Sequence, residues 1–80
     1  MSEVLRLGLL GLGTVGQGVV RVLERNAQEI ERRAGRPVRV VHASARDLGK
    51  ARDCNLEGIR LSADAADVVS DPQVDVVVEL

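Results

Sequence analysis

Three glycines, Gly11, Gly13 and Gly16, stand in the order G-x-G-x-x-G directly after an apolar run. Between a strand and a helix, the first such glycine lets the chain turn sharply, the second lets the backbone approach a diphosphate, and the third lets helix and strand pack closely. Thr14 and Val15 then open a helix whose N–H groups and positive dipole end face the diphosphate. The spacing therefore predicts a dinucleotide-binding turn. The alternatives are a structural tight turn or a turn for another nucleotide-like ligand.

The segments on both sides of the glycines have the patterns that such a turn requires. Residues Val4–Leu10 are apolar at all but two positions, as in a parallel strand covered on both faces. From Thr14 to Ala34, apolar residues recur every three or four positions, which predicts one long amphipathic helix. Its expected apolar stripe consists of Val15, Val19, Val22, Leu23, Ala27, Ile30 and Ala34.

The remainder of the chain alternates between strand-like and helix-like segments. Strands are expected at Val38–Ala43, Ile59–Leu61 and Val74–Leu80. Short helices are expected at about Leu48–Asp53 and Ala63–Ser70, the second of them capped by Ser62. Alternation of this kind favours a parallel sheet with right-handed crossovers. We therefore predict an incomplete α/β fold of the Rossmann type, with about four strands in the order 3-2-1-4 and helices on both faces.

Charged residues follow the second predicted strand, where the adenosine end of a dinucleotide would lie. Arg46 can hold the 2′-phosphate of NADP through a planar, charge-assisted fork or contact the adenine, or it can be a solvated surface arginine. Asp47 can instead accept hydrogen bonds from the ribose hydroxyls of NAD, or only cap the helix expected after it. Lys50, about one helical turn further along, can add positive charge. The pattern favours NADP over NAD.

Other residues with reactive side chains are expected to be structural. His42 lies among Val and Ala with no carboxylate or nucleophile visibly paired with it, which favours a core or sheet-edge histidine over a catalytic base. Cys54 has no cysteine partner and no histidine at ligand spacing, so we expect no metal site. Glu79 is expected near the ligand cleft, in a structural role rather than in contact with the ligand. We expect no catalytic residue in this chain.

Length and composition bound the class of protein. The 80 residues carry 11 Lys and Arg against 12 Asp and Glu, and no Phe, Tyr or Trp. This near-neutral, aromatic-free chain gives no reason to expect nucleic acid or a membrane as partner. One cysteine fits a reducing cytoplasm. Because so short a chain buries little surface, we expect residues 1–80 to be part of a longer polypeptide.

Three motifs in the chain resemble homoserine dehydrogenase. They are the run LGLLGLGTVGQGVV from Leu7 to Val20, the triplet Ala45-Arg46-Asp47, and VDVVVEL from Val74 to Leu80. In that family this segment is the N-terminal nucleotide-binding region. The resemblance implies that Leu12, Thr14 and Val15 line the pyrophosphate turn together with the three glycines. It also places Arg46 at the adenosine end and directs Val78–Leu80 toward the nicotinamide.

The resemblance further implies an activity for the complete polypeptide. The family interconverts L-aspartate 4-semialdehyde and L-homoserine with NAD(P)H, in threonine, methionine and isoleucine biosynthesis. Its catalytic lysine and acidic residues, and its substrate and dimerisation region, are expected beyond residue 80, so a homo-oligomer is expected to form through those regions. Two alternatives stay open. One is another amino-acid-pathway dehydrogenase, such as a relative of aspartate dehydrogenase or dihydrodipicolinate reductase; the other is a non-catalytic module that senses NAD(P)H.

Overall fold

The fold is a parallel sheet of four strands in the order β3-β2-β1-β4. It is seen in a computed structural model that describes residues 3–49, 52 and 54–80. The strands are β1 (Leu5–Leu10), β2 (Val38–Ser44), β3 (Arg60–Ser62) and β4 (Val76–Glu79), and the helices are α1 (Thr14–Arg25), α2 (Ala27–Ala34) and α3 (Ala65–Val69). The predicted α/β architecture and strand order are confirmed. In these described ranges no helix is both long and apolar enough to cross a membrane.

The pairing of β1 with β2 contains a bulge. Leu7 lies opposite Val40, but the next residue, Gly8, lies opposite His42, so Val41 is an extra residue in β2. Side chains alternate between the faces of a regular strand, and the extra residue reverses that alternation. Val40 and Ala43 consequently pack on the same apolar cluster although they are three positions apart.

The two faces of the sheet are covered by different helices. On the first face, α1 packs over a buried apolar cluster that consists of Leu9, Leu12, Val20, Ala43 and Ala45. On the opposite face lies α3, whose Val68 is fully buried. Val68 packs against Gly8, the residue before Leu9 in β1. A Cβ at Gly8 would lie only 2.6 Å from Val68 Cγ1, so helix and strand are in close contact there. The prediction of helices on both faces is confirmed.

The predicted single helix from Thr14 to Ala34 is wrong, because the helix is interrupted at Asn26. The backbone of Asn26 has φ −111° and ψ 25°, outside the helical region. Its backbone N–H and its side-chain amide both donate to the Val22 carbonyl, each at 3.0 Å. Asparagine side chains compete with helical hydrogen bonds in this way, which the apolar periodicity alone did not reveal.

The predicted apolar stripe of the first helix is partly wrong. Val15 and Val22 are 66% and 55% exposed, whereas Val20, which the stripe left out, is 5% exposed. Apolar residues spaced three to four positions apart fit two overlapping stripes on α1. Gly16 packs against the backbone of Gly11 in the turn after β1, and this contact fixes the rotation of α1 that buries Val20.

Two short helices also differ from the predictions. The described part of the segment 48–53 is not helical: Leu48 and Gly49 form a turn, and Arg52 has no regular structure. The α3 helix is shorter than predicted and begins after Asp64, whose carboxylate accepts a hydrogen bond from the Ala66 N–H at 2.9 Å. Ser62 therefore does not cap this helix, since it is the last residue of β3.

Candidate functional site

A cleft lies at the carboxyl edge of the sheet, where β1, β2 and β4 end. The turn from β1 to α1 forms one wall, and the segment after β2 forms another. The lining residues are Leu10, Gly11, Leu12, Gly13, Ser44, Ala45, Arg46, Asp47, Arg52, Ala63, Ala65, Glu79 and Leu80. Ligands of open parallel sheets bind at this edge, outside the point where the strand order reverses. Here that point lies between β1 and β4.

Each glycine of the motif occupies a place that a larger residue would disturb. Gly11 has φ 108°, a left-handed conformation that favours glycine. A Cβ at Gly16 would lie 2.4 Å from the Gly11 carbonyl oxygen, so helix and turn touch through their backbones. By contrast, a Cβ at Gly13 would meet nothing within 4 Å. The space beside Gly13 is open to a ligand, which fits an approaching diphosphate.

The N-terminus of α1 opens into the same cleft without a side-chain cap. Gly13 is the N-cap residue, and it makes no side-chain cap hydrogen bond. That turn contains no acidic residue either. Thr14 and Val15 are exposed. The uncapped N–H groups and the positive end of the helix dipole can therefore receive an anionic group, and the residues present fit a diphosphate.

Leu12 belongs to the turn through its backbone only. Its side chain is 3% exposed and lies in the apolar cluster. Its carbonyl accepts a hydrogen bond from the Gln17 side chain at 3.3 Å. Leu12 thus holds the turn against the core, while its side chain faces away from the cleft.

The residues predicted for the adenosine end have separate positions. Arg46 is exposed and lines the cleft, and its guanidinium has no hydrogen-bond or ion-pair partner within the described part of the chain. Asp47 lines the cleft as well, and its Oδ1 accepts a hydrogen bond from the Gly49 N–H at 3.0 Å, which stabilises the local turn. Lys50 lies outside the described residues. Glu79 is exposed at the cleft, close to where the sequence predicted it.

Arg52 is a cleft residue that sequence reasoning missed. Its Nη2 donates to the Asp47 carbonyl and its Nε lies 3.5 Å from the Leu12 carbonyl. One guanidinium therefore spans from the glycine turn to the segment after β2. The partner in the turn is 40 residues away in sequence, so neither spacing nor periodicity could have indicated this contact.

His42 is a core histidine, as predicted, but a carboxylate is paired with it, which the sequence did not reveal. Its side chain is fully buried; Nδ1 lies 2.7 Å from Asp71 Oδ2 and Nε2 lies 2.7 Å from Ser62 Oγ. A carboxylate can only accept, so Nδ1 donates to Asp71, and in the neutral imidazole Nε2 accepts from the Ser62 hydroxyl. The backbone N–H of Gln73 and the His42 ring both lower the pKa of Asp71. Because the histidine is closed off from the cleft, the Asp71–His42–Ser62 chain is structural.

Metal-binding clusters are not found among the residues that the structure describes. Cys54 is half-buried against the apolar cluster. The cleft is lined by glycines, a helix N-terminus and charged residues of both signs, Arg46 and Arg52 together with Asp47 and Glu79.

A parallel sheet with a glycine turn, a close strand-to-helix contact at Gly16 and an uncapped helix end at the switch point defines a dinucleotide-binding domain of the Rossmann type. The chain belongs to the homoserine dehydrogenase family, since residues 11–80 match the family model described as "Homoserine dehydrogenase, NAD binding domain".

Curated relatives and solved structures agree with this assignment. The chain is 49% identical over 76 residues to the homoserine dehydrogenase of Methylobacillus glycogenes, covering 95% of this chain and 18% of that protein. It is 48% identical to that of Pseudomonas aeruginosa, covering 94% of this chain and 17% of that protein. The crystal structure of the enzyme from Thiobacillus denitrificans is similar at a TM-score of 0.82 and 50% identity, with 98% of this chain and 18% of that chain covered. The Staphylococcus aureus enzyme is similar at a TM-score of 0.84 and 35% identity, with 99% and 20% covered. The chain therefore spans about a fifth of the length of these relatives.

Proposed function

We propose that residues 1–80 form the N-terminal part of the nucleotide-binding domain of a homoserine dehydrogenase, in which the cleft holds NAD(P). The observation that carries this proposal is the combination of an open backbone at Gly13 with an uncapped α1 N-terminus at the carboxyl edge of the sheet. In the complete polypeptide the reaction is the interconversion of L-aspartate 4-semialdehyde and L-homoserine, in the biosynthesis of threonine, methionine and isoleucine. We further propose a cytoplasmic homo-oligomer, with substrate and dimerisation regions in the remainder of the polypeptide.

The role of this chain in that reaction is to bind and orient the cofactor. When bound, the nicotinamide supplies the hydride that the reaction transfers. The backbone of Gly11–Gly16 and the N–H groups of Thr14 and Val15 hold the diphosphate. Because Gly16 packs directly on Gly11, this turn is rigid, and rigidity at the binding site reduces the entropy lost when a ligand is fixed. Proton transfer to the substrate is assigned to residues outside the chain.

For the adenosine end we propose that Arg46 recognises the 2′-phosphate of NADP, with Lys50 adding positive charge. In support, Arg46 lines the cleft with its charge unpaired by any described residue. Asp47, the competing candidate for the ribose of NAD, already accepts a hydrogen bond from its own turn. A guanidinium can bind a phosphate through two parallel hydrogen bonds, which discriminates NADP from NAD.

Arg46→Ala tests this assignment. In the intact protein we expect the dissociation constant for NADP⁺ to rise by about 10- to 100-fold, since a charge-assisted hydrogen bond contributes roughly 1.5–3 kcal/mol. The constant for NAD⁺ should change by less than about 3-fold. Isothermal titration calorimetry measures both. Arg39→Ala is the matched control, because Arg39 is an exposed arginine of the same β2 strand, opposite Arg6 and far from the cleft. Unchanged NADP⁺ affinity in Arg46→Ala would contradict the assignment.

The activity itself is tested on the intact protein by following NADPH oxidation with L-aspartate 4-semialdehyde. Turnover that depends on both reactants is expected. A folded protein that binds NADPH but does not turn over this aldehyde would contradict the proposed reaction while leaving cofactor binding intact. A protein that binds neither nicotinamide cofactor would contradict the proposed site.

A further inference from the structure

We propose that Ser44 is a positioning residue for the cofactor, whose hydroxyl oxygen fixes the glycine turn at the pyrophosphate relative to the segment at the adenosine end. This inference rests on the proposed function. Ser44 is not part of the glycine motif, and the sequence analysis placed it just beyond the second strand. The structure makes it the last residue of β2, at the edge of the cleft.

The contact is a hydrogen bond from the first glycine of the motif. The Gly11 N–H donates to Ser44 Oγ at 3.0 Å. The last pair of the β1–β2 ladder is Leu10 with Ser44, so Gly11 is the first residue to leave the sheet. Its backbone turns away at φ 108°, and the serine side chain takes the place of a backbone acceptor there. The hydroxyl oxygen therefore holds the point at which the turn begins.

Ser44 is itself held on both sides. Its side chain is 7% exposed. Two positions earlier, His42 is fixed by Asp71 and Ser62, and one position later the Ala45 N–H donates to the Ser62 carbonyl at 2.9 Å. The end of β2 is thus tied to β3 through both backbone and side chains. Because these contacts hold Ser44 in place, its hydroxyl oxygen can determine the position of Gly11.

The same residue leads directly into the segment that carries Arg46. The two protein segments proposed to contact one cofactor molecule are the glycine turn at the pyrophosphate and the segment at the adenosine. They are therefore connected by one side-chain hydrogen bond and two residues of chain. A ligand that must contact both binds best when this separation is fixed before it arrives. Loss of the Ser44 hydroxyl should weaken NAD⁺ and NADP⁺ equally, since both contain the pyrophosphate, whereas loss of Arg46 should weaken NADP⁺ selectively.

The test compares Ser44→Thr with Ser44→Val in the intact protein. The two side chains have nearly the same shape, and only threonine keeps the hydroxyl. We expect the dissociation constants for NAD⁺ and NADP⁺ both to rise by about 5- to 10-fold in Ser44→Val, in line with one hydrogen bond of roughly 1 kcal/mol. In Ser44→Thr both should stay within about 2-fold of the wild type. Ser44→Ala, which adds no bulk, should behave like Ser44→Val. Ser70→Ala is the control, since that hydroxyl bonds the Ala66 carbonyl at the end of α3.

Calorimetry separates positioning from a merely structural role. A variant that only folds less well lowers the fraction of binding-competent protein, and hence the stoichiometry, without changing the dissociation constant of the folded fraction. Wild-type affinity in Ser44→Ala and Ser44→Val would overturn the inference, as would a loss confined to NADP⁺. If Ser44→Thr and Ser44→Val lose affinity equally while Ser44→Ala keeps it, bulk and not the hydroxyl matters, and the inference is again wrong. A wild-type protein that binds neither cofactor would instead contradict the proposed function.

Discussion

The two faces of the sheet are built in different ways. The face under α1 is apolar, with Leu9 and Ala43 fully buried among other aliphatic side chains. The opposite face contains Val68 together with the polar chain from Asp71 through His42 to Ser62. On the first face, contact depends on shape and area alone. On the second, donors and acceptors must meet within narrow distances.

The two faces therefore contribute differently to the stability and the geometry of the sheet. Aliphatic packing supplies stability but tolerates small sliding motions, because its energy depends weakly on direction. Directional hydrogen bonds fix the register of β2 and β3 and the place of Ser44, which in turn meets the glycine turn. The polar face therefore adds directional contacts to the apolar contacts of Leu12 and Ala45 in positioning the cofactor-binding segments.

The largest effects are expected from changes of buried side chains, of which His42→Leu tests the polar face. The change leaves the buried Ser62 hydroxyl, and one Asp71 oxygen, without the partner that the histidine provides. We expect the free energy of unfolding to fall by about 2–4 kcal/mol. Urea denaturation measures this loss. Adding Ser62→Ala should restore about 1 kcal/mol of stability, because an absent hydroxyl needs no partner.

Leu9→Ala is the comparison on the apolar face. It should lower the free energy of unfolding by about 2–5 kcal/mol, and Ser62→Ala should not restore any of this loss. Full stability of His42→Leu would show that the polar chain does not fix the strands.

A second prediction separates packing from ligand space within the glycine turn. Gly16→Ala places a methyl group 2.4 Å from the Gly11 carbonyl oxygen, so the backbone must shift, at a cost of about 1–3 kcal/mol of stability. Gly13→Ala meets nothing within 4 Å and should leave stability nearly unchanged. It should nonetheless raise the dissociation constants for NAD⁺ and NADP⁺ by about 10-fold or more, because the methyl group occupies the space left for the diphosphate. Thermal unfolding and calorimetry measure the two effects. Equal cofactor affinity of Gly13→Ala and the wild type would contradict the proposed position of the diphosphate.

The smallest effect is expected at the amino edge of the sheet, far from the cleft. There the Arg6 side chain hydrogen-bonds Asp75 and lowers the pKa of that carboxyl from its usual 3.8. The stabilisation is therefore complete above the ordinary pKa of an aspartate and is lost as the pH falls through the lowered one. Asp75→Asn should lose less stability than the wild type between about pH 5 and pH 3. Arg6→Met should lie between the two, because the backbone N–H of residue 6 still donates to the Asp75 carboxylate. Unfolding curves at several pH values test this. Identical pH dependence in all three proteins would show that this ion pair does not contribute.

Features that depend on neighbouring residues were predictable from the sequence. The glycine spacing indicated the turn, and the alternation of apolar segments indicated a parallel sheet in the observed order. Each of these follows from local backbone preferences or from hydrophobic periodicity.

Features that depend on contacts between distant residues were not predictable. Asp71 is 29 positions from His42, so no local pattern indicated their pairing. Ser44 and Gly11 are 33 positions apart, and the side chain of one serves the backbone of the other. The break at Asn26 is local, but it results from competition between a side chain and the helix, which a count of apolar residues does not register.

The extra residue Val41 also limits how the length of this chain can vary. If β1 and β2 paired without this bulge while Val41 stayed in the chain, His42 would lie opposite Leu9 and Ala43 opposite Leu10, so an imidazole would enter the aliphatic layer. A residue inserted into β2 that the bulge did not absorb would likewise exchange the inward and outward sides of everything that follows. Deletion of Val41 itself would leave a regular ladder with His42 still opposite Gly8. Insertions between related proteins should accordingly spare this strand and occur instead at the exposed turn of Leu48 and Gly49.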